Sequence, residues 1–139
     1  MIHAAKVLSL IIIIFCISSC SRAQTLRSAK VYAVPFESLY IVAQDANAIR
    51  KHPDVEVTIN DQKTLLKVVK FLEIPCKKAV IQDKMDVRVV IDSSEVEGIS
   101  KSREFSIGRF KDTETHVACD FAKEDEDKLS ALIQQISRH

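Results

Sequence analysis

The chain of 139 residues has no tryptophan, two glycines, three prolines and no excess of either charge. Each shortage excludes something. Phosphate-cradling loops such as G-x-x-x-x-G-K and G-x-G-x-x-G need several closely spaced glycines, and so does the G-x-S-x-G elbow of many hydrolases. Gly98 and Gly108 cannot build any of them. A formal charge of +1, with no block of Lys and Arg, removes nucleic acid as a partner. The absence of Trp argues against the aromatic platforms on which polysaccharide hydrolases hold sugar. So few Gly and Pro, beside 47% hydrophobic residues, also exclude a disordered or collagen-like chain. What remains is one globular domain, large enough for a core of its own.

Acidic residues are missing from the start of the chain, where none precedes Glu37. His3 and Lys6 open a short polar segment, followed by the apolar run Val7–Ile17 and then small residues, the three-part organisation of an export signal. The run is 11 residues long, well short of the ~20 that span a bilayer as a helix. At its end, Ile17-Ser18-Ser19-Cys20 resembles the lipobox of bacterial lipoproteins. That resemblance implies removal of residues 1–19, lipidation of Cys20, and a mature chain held in the cell envelope by its lipid. Ser21-Arg22-Ala23 offers the rival site: cleavage after Ala23 leaves Gln24 first and the chain secreted or periplasmic. Loss of residues 1–19 leaves basic and acidic side chains equal at 19 each.

Residues 20–30 are polar and basic without periodicity and are expected to form a tether, with one domain over 31–139. Val31–Val34 predicts a strand ending before Pro35, and Leu39–Val42 continues it or forms another. Asp45 is placed to cap a helical turn over 45–50 that His52-Pro53 ends. Val55, Val57 and Ile59 alternate with Glu56 and Thr58, predicting a strand with one buried face. Asn60 or Asp61 then caps a helix in which Leu65, Val68, Val69 and Leu72 form one stripe, stopped by Pro75. Val87, Val89 and Ile91 alternate with polar neighbours. After a turn at Gly98, Phe105 and Ile107 alternate with Glu104 and Ser106, so the two segments form an antiparallel pair. Gly108 and Lys111–Glu114 read as a turn and Thr115–Cys119 as the last strand. Leu129, Leu132, Ile133 and Ile136 mark a final helix, whose first turn holds Glu124–Asp127; carboxylates there complement the helix dipole, so the run is not a cation site. The expected fold is α+β, a single small domain with a mainly antiparallel sheet of four to five strands and two amphipathic helices on one face.

The stretch Val55-Glu56-Val57-Thr58-Ile59-Asn60-Asp61 running into the Leu65–Leu72 helix, with Asp86-Val87-Arg88-Val89-Val90-Ile91 after it, resembles small uncharacterised exported proteins of Bacteroidota-type bacteria. The resemblance implies a fold and an address, and carries no catalytic signature.

Of four cysteines, Cys16 lies in the signal and Cys20 is the lipid acceptor. Cys76 and Cys119 remain, either as a disulfide of an exported domain or as two separate buried thiols. His116 and Cys119 fall on opposite faces of a strand, so no metal site is expected, and no cofactor. These features point to a non-catalytic envelope lipoprotein domain, bound to the membrane through its lipid and to an envelope protein as partner. The alternative is a small envelope hydrolase or thiol enzyme using Cys119 or a carboxylate pair, which requires a concave pocket around convergent polar groups. With the helices covering Val57, Val87, Val89, Phe105 and Val117, alternation places Thr58, Arg88, Glu104, Ser106 and His116 on the other side. That side is expected to be open, solvated and the partner-binding face.

Overall fold

The computed structural model describes residues 26–81, 84–96, 98 and 100–139. The expected export signal, Cys20 as the expected lipidation site and the first part of the expected tether lie outside the described residues. The chain is α+β, as its pattern predicts. Among the described residues, the strands are β1 (Leu26–Ala33), β2 (Val55–Ile59), β3 (Ala79–Ile81), β4 (Val89–Glu95), β5 (Ser100–Ser106), β6 (Arg109–Asp112) and β7 (Val117–Asp120). They form one sheet in the order β2-β1-β4-β5-β6-β7-β3, with every pairing antiparallel. Three helices complete it: α1 (Ala46–Lys51), α2 (Gln62–Leu72) and α3 (Lys123–Ile136).

The sheet has seven strands where four to five were expected. Strand β6 escaped notice because Lys111 and Asp112 look like turn residues. Gly108, at φ +68°, lets the chain reverse through Ile107-Gly108 so that Phe110 lies opposite Phe105. Strand β3 is three residues long and exposed on its edge, too short for alternation to register. Strand β1 begins at Leu26, inside the expected tether, because Leu26 and Ala29 are buried on one face and Lys30 pairs with Glu56 of β2 at 2.6 Å. Leu39–Val42 is irregular, not a strand.

Both longer helices pack on one face of the sheet, as predicted. Asp61 caps α2 by accepting from the Thr64 N–H at 2.8 Å, and Leu65, Val68 and Phe71 are buried beneath the helix. Leu129, Leu132 and Ile136 of α3 enter the same core. Phe105, Phe110 and Phe121 form its centre, with ring centroids 5.2–6.3 Å apart. Arg103 holds the end of α2, donating to the carbonyls of Phe71 and Ile74 at 3.0 and 3.1 Å while its guanidinium lies over the Phe110 ring. Cys76, just beyond α2, is at disulfide distance from Cys119 on β7, with 5.2 Å between their Cα atoms.

The opposite face is not open. The connection from β1 to β2 folds α1 over β1 and β4. The chain leaving β3, at one edge, must cross to reach β4 in the middle, and Met85 and Val87 of this crossover pack on the same face. Val34, Ala46, Ile49, Met85, Val87, Val90 and Ala118 form a second apolar cluster beneath these segments. Val87 therefore belongs to this face and not to the helix side, and Val117, on the short β7, is 38% exposed.

Candidate functional site

Of the five residues assigned to an open polar face, three are buried: Arg88, Glu104 and Ser106 are 3%, 5% and 7% exposed. Alternation does put them on one side, but the crossover and α1 cover it, so the expectation of a solvated surface is corrected. Thr58 on β2 and His116, which precedes β7, are exposed and lie on opposite flanks of the sheet, apart from the buried three.

Ser106 and Arg88 are tied to Asp86 of the crossover. Ser106 Oγ donates to the Asp86 carbonyl, and the Arg88 backbone N–H donates to the Phe105 carbonyl at 2.8 Å. The Arg88 guanidinium pairs with Asp86 through Nη2 and lies 4.8 Å from the Tyr40 ring centroid. The ring face partly compensates a cation whose Nε and Nη1 have no hydrogen-bond acceptor among the described residues.

Glu104 faces Lys111 across β5 and β6. Oε2 and Nζ are 3.7 Å apart, with the side chains only 7% and 12% exposed. Burial pushes the Glu104 carboxyl above the ordinary glutamate range, while Lys111 and Arg50 pull it the other way without cancelling the effect. The pair lines a partly open cleft of about 590 Å³. Ile41, Val42, Ala43 and Asp45 line it from the segment before α1, and Lys84, Met85 and Val87 from the crossover.

Next to the cleft, Arg50 of α1 makes a two-pronged contact with Asp92 of β4, at 2.9 and 2.7 Å, and donates to Ser102 at 2.8 Å. Ser102 Oγ also bonds Asp92. Burial works to raise the Asp92 carboxyl, but the Arg50 and Ser102 hydrogen bonds prevail and hold it below its usual range. This triad fastens α1 to the sheet.

The loop before α1 carries the most exposed apolar side chains near the cleft. Leu39 is 97% exposed, Ile41 fully so, and Val42 69%. Its base is fixed: the Val34 N–H donates to the Arg88 carbonyl, the Gln44 N–H to Asp86 Oδ1, and the Val87 N–H to the Gln44 carbonyl, all within 2.9 Å. Sequence reasoning missed this loop and Lys111. Leu39-Tyr40-Ile41-Val42 lacks polar alternation, the signal that distinguishes it from a half-buried strand, and Lys111 was hidden in an apparent turn.

Cys76 and Cys119, by contrast, are brought together as the disulfide reading expects. Among the described residues, no group of three or more His, Cys, Asp and Glu could hold a metal ion, and no helix is long and apolar enough to cross a membrane. Compared with known proteins, the chain matches no family model, no curated protein and no solved structure.

Proposed function

We propose that this chain is a non-catalytic cell-envelope domain, tethered through lipid on Cys20, that binds a protein partner with the loop Leu39–Val42. The observation that carries the reading is an apolar loop presented on a fixed base. Burial of apolar surface is worth about 25 cal/mol per Å², yet Leu39 and Ile41 stand exposed on a loop whose ends are fixed by hydrogen bonds at Val34, Gln44 and Val87. Contiguous exposed apolar residues mark surfaces that another molecule covers.

The placement of the loop is compatible with a protein partner beyond the anchoring membrane. Cys20 lies six residues before Leu26, which limits its reach to roughly 20 Å. The loop leaves the sheet from the Ala33 end of β1, and that strand of eight residues separates the two ends by roughly 25 Å. With the Leu26 end towards the bilayer, as a lipid on Cys20 allows, the loop points away from it.

The thiol-enzyme alternative loses support because Cys119 faces Cys76 at bonding distance. The carboxylate alternative has Glu104 and Asp45 in one cleft, but Asp45 is engaged as the cap of α1, accepting from the Ala48 N–H at 2.8 Å.

Crosslinking in intact cells, followed by mass identification of adducts, tests the proposal. The unaltered chain is expected to give one discrete protein adduct, and L39S/I41S to lose it while remaining folded and membrane-associated. An adduct unchanged by the double substitution, or a mature chain that begins at Gln24 without acyl mass, refutes the corresponding half of the reading.

A further inference from the structure

The cleft beneath the loop has chemistry of its own. Its lining presents a carboxylate and an ammonium, Glu104 and Lys111, separated by 3.7 Å. They attract at that distance but are too far apart to form a good hydrogen bond. No other described side chain hydrogen-bonds either of them, so the carboxylate keeps acceptor sites and the ammonium keeps donors. Lys84 and Asp45 also line the cleft, so it carries two cationic and two carboxylate side chains; a purely cationic ligand satisfies the carboxylates and opposes the cations, and an anionic one does the reverse. An apolar ligand buries Glu104 and Lys111 without hydrogen bonds, the most unfavourable arrangement of the three. The matching ligand carries an ammonium and a carboxylate a few ångströms apart. Ile41, Val42, Met85 and Val87 supply apolar walls, and the volume, about 590 Å³, is in the range of small-molecule sites.

We infer that this cleft binds a free α-amino acid with an apolar side chain, its ammonium against Glu104, its carboxylate against Lys111 and its side chain against the apolar walls. The site shares its rim with the proposed partner-binding loop, and the inference rests on that reading only in placing recognition at this end of the sheet.

The test is an amide NMR titration of the full-length chain with three probes: leucine, leucinamide, which lacks the carboxylate, and 4-methylpentanoate, which lacks the ammonium. Leucine is expected to shift amides of β5, β6 and residues 41–45 saturably. Each analogue should bind roughly tenfold or more weakly, because one buried charge is left without its partner. E104Q and K111M should each lose the preference for leucine. Since removing one member of a buried pair also destabilises the fold, the analogue arms on the unaltered chain decide by themselves. Absence of saturable shifts up to about 10 mM, where even a millimolar site is filled, overturns the inference. Equal binding of all three probes, or shifts confined to α2 and α3, overturns it as well. Leucine binding without a loop-dependent protein adduct upholds the cleft and refutes the partner-binding reading; the reverse refutes the cleft alone.

Discussion

The two faces of the sheet are covered by different means. On one, two amphipathic helices lay apolar stripes over a core centred on Phe105, Phe110 and Phe121, and the Cys76–Cys119 pair joins the chain after α2 to β7. On the other, a six-residue helix and two connecting segments cover a mixed surface in which Arg88, Glu104 and Ser106 are buried. Hydrophobic burial is non-directional and tolerates small shifts, whereas buried charges need specific partners at specific distances. The helix-covered face is accordingly the stable platform. The loop-covered face, where polar groups meet a cleft and an exposed apolar loop, is the part we propose for recognition.

The largest expected effect lies on the platform. Phe105 is fully buried among Phe110 and Phe121, so Phe105→Ala should lower unfolding free energy by about 3–5 kcal/mol in urea titrations. A loss below about 1 kcal/mol, the level of an average substitution, means the aromatic cluster is not the centre of the fold. Next comes the bridge, whose cysteines are 43 residues apart. In the chain-entropy account, a closed loop of that length contributes about 4 kcal/mol, and reduction should lower the thermal midpoint accordingly. Two alkylatable thiols in fully folded protein, recovered from an oxidising compartment, contradict the bridge.

On the loop-covered face, Arg50→Ala removes the tie between α1 and Asp92. The expected loss is about 1–3 kcal/mol, with amide exchange accelerating in residues 46–51 and little change in α2 or α3. Equal acceleration in the long helices means that the two faces do not behave separately.

Acid sharpens the contrast within this face. The folded Asp92 carboxyl sits below its ordinary range, so its contribution to stability is present at neutral pH and lost as pH falls through that lowered value. Glu104 has the opposite sign. Its folded value is raised, so the charged form disfavours folding at neutral pH, and that penalty is relieved as pH falls from the raised value to the ordinary one. Carboxyl NMR titrations should place Glu104 above, and Asp92 below, their unfolded counterparts; the reverse order removes the electrostatic account of the cleft. The smallest effect belongs to the exposed loop, where Ile41→Ser should change stability by less than about 0.5 kcal/mol in the same urea assay. A larger loss means that the loop packs on the domain instead of standing clear of it.

Periodicity made the platform legible. The stripes at Leu65, Val68 and Leu129, Leu132, Ile136, the Asp61 cap and the alternation through Val55–Ile59 all follow from local spacing, and the structure keeps them. It also keeps the pairing of Cys76 with Cys119. Alternation put Arg88, Glu104 and Ser106 on a common side correctly, but said nothing of what lies above them. That depends on strand order: β3 sits at the far edge, so the chain must return across the sheet to reach β4. No local pattern encodes such a crossover. The cleft was unreadable for the same reason, since Asp45, Met85, Glu104 and Lys111 come from four separate stretches of chain.

The central claim, that recognition belongs to the loop-covered face, can be tested by comparing two exposed apolar residues of the same protein. Ile41 stands on the loop, and Leu66, 44% exposed, stands on α2 over the platform. A photo-activated crosslinking side chain placed at each position in living cells should yield a discrete protein adduct from position 41 and none from position 66. An adduct at 66 and none at 41 would put the binding surface on the helices and contradict the account.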